Sequence, residues 1–330
     1  MYKDTWKSIQ IILAHQEKLL FLIRIYNKKI RTLYNSGDLM ETIIFCPVCN
    51  STNYKTIYPN TLNGNLPCFN YDFSPNHMLT YEIIKCLTCS HEFCIIPFKN
   101  IGDHYQSIID LDYINRKPSH ILTAQKVIKI IIKYMPSGKL LDVGCATGEF
   151  LSVAQEYYIT EGLEPSKWSS EIGKKSGFNI HTCSLNELPS TTKFDIITLW
   201  GVIEHFENLQ AEIKKIYELL NPGGIVCLWT GNKNSWLARL LGKHWWYIQG
   251  QHVQFFNKQS LNKLFINNNF TNITIETYPL TVEFSALGKS LHRYKYLQKL
   301  SHIICNNKFM QHKTITLKLP GEMLAIYKKM

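Results

Sequence analysis

Residues 142–148, Asp-Val-Gly-Cys-Ala-Thr-Gly, have the residue types and spacing most typical of ligand binding in this 330-residue chain. Gly144 and Gly148 stand four positions apart and follow an apolar run that contains Asp142. This pattern predicts a strand that passes through a tight glycine loop into a helix, where open α/β sheets bind nucleotide-like ligands. Glu164 ends the next apolar segment, 22 residues after Asp142. That offset is typical of a carboxylate that accepts hydrogen bonds from ribose hydroxyls.

Two Cys-x-x-Cys pairs predict a metal site. Cys46 and Cys49 form the first pair, Cys86 and Cys89 form the second, and 36 residues separate the pairs. Two thiolates at this spacing can occupy one edge of a tetrahedron, and a second pair completes it. We therefore predict a structural zinc ion with four protein ligands, in a small zinc-ribbon-like module over residues 41–104. A redox role or an accidental pairing is the alternative.

The net charge of +11 belongs to the two ends of the chain. Residues 1–40 carry +4, residues 281–330 carry +7, and the residues between them sum to zero. Such ends could contact anionic lipid, nucleic acid or a phosphorylated substrate, or could be solvated surface. With 45% hydrophobic and 18% charged residues, the chain can bury one large core and a small additional module.

Residues 1–40 are predicted to be a basic amphipathic helical extension, because apolar residues recur there at helical spacing. Residues 1–39 could make a peripheral contact with a membrane, pack on the protein's own body, or precede a translation start at Met40. The apolar runs are shorter than the roughly 18 residues that span a bilayer, so no transmembrane segment is expected. The absence of a secretory signal and the scattered thiols favour a cytoplasmic location.

From residue 105 onward, apolar strand-like runs alternate with helical patterns, which predicts a Rossmann-like doubly wound α/β domain over residues 105–330. Its sheet should have seven mostly parallel strands. Two insertions are expected, an aromatic one at 233–256 and a basic one at 284–316. The predicted strands are 140–144, 159–164, 179–183, 194–199, 225–230, 271–278 and 322–327, and the predicted helices are 121–135, 147–157, 167–175, 209–220 and 258–267.

Four motifs in order resemble those of the class I S-adenosylmethionine-dependent methyltransferases. They are DVGCATG at 142–148, GLEPS at 162–166, FDIITLWGVIEHF at 194–206 and LLNPGGIV at 219–226. The chain looks most like the bacterial subgroup that carries an N-terminal zinc-binding module and a Glu-His pair after the fourth strand. Two departures stand out, since Ala146 replaces a common glycine and Gly201 replaces a residue that is often polar.

The resemblance implies S-adenosylmethionine as the cofactor and assigns roles to individual residues. The predicted cofactor-binding residues are Asp142, Gly144, Ala146, Gly148, Glu164, Leu199 and Trp200. Glu204 and His205, just past the fourth strand, and His252, after the fifth, are the candidate catalytic bases. A hydroxyl acceptor would need such a base, whereas an amine or an activated carbon could react without one. Each of the three could instead be structural, and Glu204 with His205 could hold a divalent cation.

The predicted acceptor is a small molecule or a saccharide, methylated on oxygen, carbon or nitrogen. Surface polysaccharide or secondary-metabolite biosynthesis is the setting that the resemblance suggests. Trp245, Trp246 and Tyr247 in the aromatic insert could roof the acceptor pocket or belong to the core. The alternatives are a nucleic-acid (rRNA or tRNA) methyltransferase, a quinone-type O-methyltransferase, and a non-catalytic zinc-containing scaffold. The sequence WGVIEH after the fourth strand and the neutral body of the chain disfavour nucleic acid.

Overall fold

The computed structural model describes residues 43–68, 75–96, 101–292, 294–306 and 313–330. The predicted helical extension over residues 1–40 lies outside these residues. The chain divides into two compact units, Met1–Ile44 and Phe45–Met330. The second unit contains both cysteine pairs and the central sheet, and it is described below. No helix in the described ranges combines the length and the apolar character needed to cross a bilayer.

The strands of the second unit are numbered in chain order. They are β1 (Tyr54–Tyr58), β2 (Glu82–Cys86), β3 (Glu92–Ile95), β4 (Lys139–Val143), β5 (Ile159–Leu163), β6 (Ile180–His181), β7 (Phe194–Trp200), β8 (Leu220–Gly231), β9 (Gln254–Phe255), β10 (Phe270–Thr277), β11 (Leu280–Glu283), β12 (Thr314–Leu317) and β13 (Glu322–Lys329). The α-helices are α1 (Leu111–Asn115), α2 (Lys117–Ile131), α3 (Glu149–Ala154), α4 (Lys167–Lys175), α5 (Leu209–Leu219), α6 (Trp236–Leu241), α7 (Lys258–Asn267), α8 (Phe284–Leu291) and α9 (Gln298–Asn306).

The central sheet has seven strands in the order β10-β13-β8-β7-β4-β5-β6. Strands β4 to β8 pair in parallel, and β13 runs antiparallel between β8 and β10. Ile196, Ile197 and Leu199 of β7 are fully buried, because helices cover both faces of a parallel sheet and its strands are continuous apolar runs. The predicted Rossmann-like, mostly parallel seven-stranded fold is confirmed.

A second, antiparallel sheet has the order β1-β2-β3-β9 and lies beside the cysteine pairs. Its first three strands come from the predicted N-terminal module. The fourth, β9, comes from the aromatic insert and pairs Phe255 with Glu92 of β3. Tyr81, Ile83, Trp245 and Phe255 form part of one buried cluster behind this sheet. The aromatic insert therefore completes the sheet and the core of the small module.

Several boundaries differ from the predicted ones for physical reasons. The helix predicted over 121–135 is α2, Lys117–Ile131. It begins earlier than predicted because Pro118 lies in its first turn, where a proline is tolerated. Strand β6 is only two residues long, since it is an edge strand with a single neighbour. Around the basic insert, β11 and β12 pair antiparallel and flank α8 and α9 in the chain, and these four elements were not predicted.

Candidate functional site

The loop between β4 and α3 has the backbone conformation that its glycines predict. Gly144 (φ +71°) and Gly148 (φ +93°) lie in the left-handed region. A Cβ on Gly144 would come within 2.7 Å of Val202 Cγ2, and one on Gly148 would collide with the ring of Phe178. Both positions therefore require glycine. Ala146 is also left-handed (φ +48°), which gives a physical reason why glycine would suit its position.

Glu164 lies at the carboxyl end of β5 and faces this loop. Its Oε2 accepts a hydrogen bond from the amide of Ala146 at 2.9 Å, and its Oε1 accepts one from the amide of Ser166 at 2.8 Å. Burial raises the pKa of the Glu164 carboxyl to about 7, and the two amide bonds oppose that rise. A carboxylate offers about four acceptor positions, so acceptor capacity remains for a ligand.

The other predicted cofactor residues take different places. Asp142 is buried below the loop and accepts a hydrogen bond from Thr198 Oγ1 at 2.6 Å. Burial raises the pKa of Asp142 to about 8. Leu199 is fully buried within the sheet and does not belong to the cavity lining, because successive residues of β7 point to opposite faces. Trp200 does line the cavity, and its indole packs against Phe150 with ring centroids 4.9 Å apart.

One cavity of about 1450 Å³ extends from this loop across the ends of the strands. Gly144, Ala146 and Glu164 form part of its wall, and Trp200, Glu204 and His205 form another part. Pockets for a single small ligand usually measure about 300–1,000 Å³. The cavity is therefore large enough for a cofactor-sized ligand and a second molecule beside it.

Glu204 lies in a short helical turn after β7 and is almost fully buried. Its Oε1 accepts a hydrogen bond from the hydroxyl of Tyr247 at 2.8 Å, and its Oε2 accepts one from Thr230 Oγ1 at 3.0 Å. Burial raises the pKa of the Glu204 carboxyl to about 7, against the effect of these bonds. Glu204, His205 and His252 each offer a ligand atom, and these atoms lie within 4.8 Å of one another. The fold thus brings the three candidate bases together.

The two histidines differ in their hydrogen bonds. His205 Nδ1 lies 3.0 Å from the carbonyl oxygen of Gln251 and 2.7 Å from the hydroxyl of Tyr105. Burial lowers the pKa of His205 to about 4, so its imidazole is neutral near pH 7. A proton on Nδ1, directed at the carbonyl, leaves the lone pair on Nε2. His252 Nδ1 lies 2.8 Å from the carbonyl oxygen of Tyr247, and its Nε2 lies 2.8 Å from the Gln249 side-chain nitrogen, so both ring nitrogens are engaged.

The aromatic insert divides between core and cavity. Trp245 is fully buried and stacks on Tyr247, whereas Trp246 and Tyr247 line the cavity. Glu322, the first residue of β13, accepts hydrogen bonds from the indole N–H groups of Trp229 and Trp246, both at 2.7 Å. Burial raises the pKa of Glu322 to about 8. The sequence analysis missed Glu322, whose signal is a lone acid at the start of an otherwise apolar strand.

The comparison with known families agrees with this arrangement. A family model described as "Methyltransferase domain" matches residues 122–275, which include the glycine loop, Glu164, Glu204, His205 and His252. Residues 122–275 therefore match a methyltransferase domain.

Curated relatives match about a third of the chain. "Probable tRNA methyltransferase 9B" of Bos taurus is 31% identical over 109 residues, which are 32% of this chain and 24% of that protein. "Ubiquinone biosynthesis O-methyltransferase" of Escherichia fergusonii is 29% identical over 115 residues, 32% of this chain and 48% of that protein. The matched region thus spans between about a quarter and a half of the length of these relatives.

Solved structures of low sequence identity also match. An S-adenosylmethionine-dependent methyltransferase from Archaeoglobus fulgidus is 16% identical, with a TM-score of 0.47, covering 67% of this chain and all of that one. A possible histamine N-methyltransferase from Thermotoga maritima is 19% identical, with a TM-score of 0.44, covering 64% of this chain and 90% of that one.

Residues around α1 form a cover over the cavity that the motifs did not indicate. Asp110, Tyr113 and Arg116 around α1 line the same end of the cavity as Glu164. Asp110 caps α1 by accepting a hydrogen bond from the amide of Tyr113 at 2.9 Å, and it pairs with Arg116 at 3.5 Å. Ser166 Oγ donates to the carbonyl oxygen of Ile108 at 3.1 Å, which ties this cover to the segment after β5. An aspartate before a short apolar segment is the available sequence signal, and it is weak.

The four predicted metal ligands of the N-terminal module lie together. The Sγ atoms of Cys46 and Cys89 are 3.5 Å apart, as are those of Cys49 and Cys86, and all four lie within 4.8 Å of one another. In a tetrahedral zinc site with Zn–S bonds of about 2.3 Å, the sulfurs are about 3.8 Å apart. All four are free thiols. The spacing and the donor set therefore fit a zinc ion.

Proposed function

We propose that this protein transfers a methyl group from S-adenosylmethionine to a small molecule bound in the same cavity. The observation that carries the proposal is the shared cavity itself. The glycine loop and Glu164 form one part of its wall, and the buried Glu204 with the half-buried His205 forms another. A cofactor at the loop would thus share one cavity with an acceptor at the carboxyl of Glu204 and the imidazole of His205.

The residues at the loop fit the cofactor. Glu164 keeps acceptor capacity for the ribose hydroxyls, and the backbone of Gly144 and Ala146 lines the cavity beside it. Cys183 and Leu185, in the segment after β6, line the same cavity. When bound, the cofactor supplies a methyl group on a sulfonium sulfur, and the carbon–sulfur bond breaks as the acceptor attacks. Positioning and exclusion of water then supply much of the catalysis.

The chain's own residues would manage the acceptor proton. The carboxyl of Glu204, with its pKa raised to about 7, can take a proton from a hydroxyl or an ammonium group at neutral pH. The neutral imidazole of His205 offers Nε2 as a second acceptor of that proton. Both ring nitrogens of His252 are already hydrogen-bonded, so His252 would hold the cavity wall around Tyr247 in place instead of accepting the proton. The three ligand atoms could alternatively hold a divalent cation, in which case a chelator would abolish activity.

We further propose one structural zinc ion on Cys46, Cys49, Cys86 and Cys89. The clustered thiols support it, and with four protein ligands the ion would have no open position for catalysis. Its role would be to stabilise the small sheet whose fourth strand, β9, comes from the aromatic insert.

A nucleic-acid acceptor is the rival proposal, suggested by the name of the bovine relative. Acidic side chains disfavour it, because Glu187, Glu207 and Glu212 line the cavity and would repel phosphate.

The test is to incubate the purified full chain with S-adenosylmethionine labelled in the methyl group and with fractionated cell extract, and to identify the labelled product. A labelled small molecule is the expected result. Strongly salt-dependent binding and labelling of RNA would instead establish the rival. Absence of binding to S-adenosylhomocysteine in calorimetry would overturn the cofactor assignment and favour a non-catalytic scaffold.

A further inference from the structure

The part of the cavity around α8 has an aliphatic wall. Side chains from α6, β11, α8 and β12 contribute to it, and all of them are half-buried. The lining residues used below are Leu241, Leu280, Val282, Leu287, Leu291 and Leu317. They share one cavity with Glu204 and the glycine loop, so the aliphatic wall is a continuation of the proposed active site.

Three contacts hold this wall in place. Helix α8 packs closely on α9 at Gly288, where a Cβ would come within 2.8 Å of Cys305 Sγ and 3.0 Å of Ile304 Cγ2. Strand β11 is bonded to α2, since the amide of Thr281 donates to Thr123 Oγ1 at 2.9 Å. The hydroxyl of Tyr294 donates to the carbonyl oxygen of His244 at 2.8 Å, which ties the region after α8 to the region after α6.

Among residues 284–319, the lysines whose side chains the structure describes lie outside the cavity lining. Lys289, Lys299, Lys313 and Lys318 are exposed, and none of them is among the lining residues. Within the described part of residues 280–319, the polar lining side chains are Ser290, Tyr294 and Tyr296. A saccharide or a nucleotide would leave many of its polar groups without partners here, and each unmade hydrogen bond is costly. An apolar chain would lose nothing by entering.

We propose that the acceptor is an amphiphile whose apolar chain lies along this aliphatic wall while its nucleophile reaches Glu204 and His205. The inference rests on the proposed methyl transfer and narrows its acceptor class from small molecules in general to molecules with an alkyl or isoprenoid-like chain. The space supports it, since a cofactor-sized ligand leaves on the order of several hundred Å³ of the 1450 Å³ cavity.

The experiment measures chain-length dependence with simple probes. The full chain is saturated with S-adenosylhomocysteine, loaded with the neutral fluorophore N-phenyl-1-naphthylamine, and titrated with n-alkanols of six to twelve carbons. If the alkyl chain lies on the aliphatic wall, the affinity for the alkanol should rise about fourfold for each added methylene, which corresponds to about 0.8 kcal/mol of apolar burial. A flat or declining series would overturn the inference.

Matched variants test where the alkyl chain of the alkanol binds. Leu287→Gln, on the wall, should weaken decanol binding about tenfold, because it removes apolar contact and buries an amide. Leu300→Gln is the control, since Leu300 lies on neighbouring α9, is 46% exposed and is not a lining residue. Equal affinities in the two variants would overturn the inference, and if Leu287→Gln does not fold, the chain-length series decides alone. Calorimetry with S-adenosylhomocysteine separates the two proposals: binding without chain-length dependence refutes only the amphiphile, whereas no binding refutes the proposed function.

Discussion

Replacing Glu164 by glutamine should weaken cofactor binding by a predictable amount. Each carboxylate oxygen already accepts one backbone amide, from Ala146 or Ser166, and has capacity left for one ribose hydroxyl. In the glutamine variant an NH2 group replaces one of the carboxylate oxygens. That group is a donor, so it would face the donating backbone N–H without forming a hydrogen bond, and it could not accept one from a ribose hydroxyl. The loss of one charged hydrogen bond costs about 1.5–3 kcal/mol, which is about tenfold to 150-fold in Kd.

The pH dependence of binding gives a second, independent readout. Burial raises the pKa of Glu164 to about 7 in the free protein, and only the ionised form accepts from both hydroxyls. Affinity should therefore fall as the pH falls through 7. Because about one molecule in eleven is ionised one unit below the pKa, binding at pH 6 should be about tenfold weaker than at pH 8. Glu164→Gln should lack this dependence.

The assay is isothermal calorimetry with S-adenosylhomocysteine, and Glu161→Gln is the matched control. Glu161 lies on the same strand β5, but its carboxylate pairs with Lys139 at 2.6 Å and His181 at 2.7 Å instead of facing the cavity. Its variant should bind the ligand as the natural protein does. If Glu164→Gln binds within twofold of the natural protein and keeps its pH dependence, the ribose assignment is refuted.

Three further outcomes are expected. Metal analysis should find about one zinc per chain, and Cys86→Ser should lose the metal and lower the Tm while Cys183→Ser keeps both; metal-free natural protein would contradict the zinc site. Ala146→Gly should raise the free energy of unfolding by about 0.5–1 kcal/mol in denaturant titrations, because it relieves a left-handed alanine, and a loss would contradict the strain. Glu204→Gln should lower kcat about 100-fold or more toward a hydroxyl acceptor and remove the fall in rate below pH 7, whereas an unchanged profile would exclude Glu204 as the base.

Local signals predicted the central fold well. The helices over 167–175 and 258–267 have the predicted bounds, and each begins after a side chain that caps it, Ser166 and Asn257. The buried run in β7 and the glycines of the β4–α3 loop are likewise local features that one segment of sequence contains. These local features determine where the strand ends and which class of ligand can approach the loop. They could be read from the sequence because they depend on residues that are close together in the chain.

The remaining features depend on contacts between distant segments. Glu322 acquires its place from two indoles, Trp229 and Trp246, which lie 93 and 76 residues away in the chain. Strand β9 has only two residues and exists because β3 offers a free edge. Short strands such as β11 and β12 have too few apolar residues for a periodic pattern, so the aliphatic wall that they help to form could not be foreseen.

Strand β9 restricts which regions of this chain can be exchanged with those of a homologue. Cys94 of β3 is hydrogen-bonded to the segment around β9. Its amide donates to the carbonyl oxygen of Val253, and its thiol donates to that of His252. The amide of Val253 in turn donates to the carbonyl oxygen of Glu204. A chimera that takes the cysteine-rich region from one homologue and the catalytic region from another would therefore mismatch the backbone around His252. Recombination should succeed only when residues 252–256 are exchanged together with the cysteine-rich region.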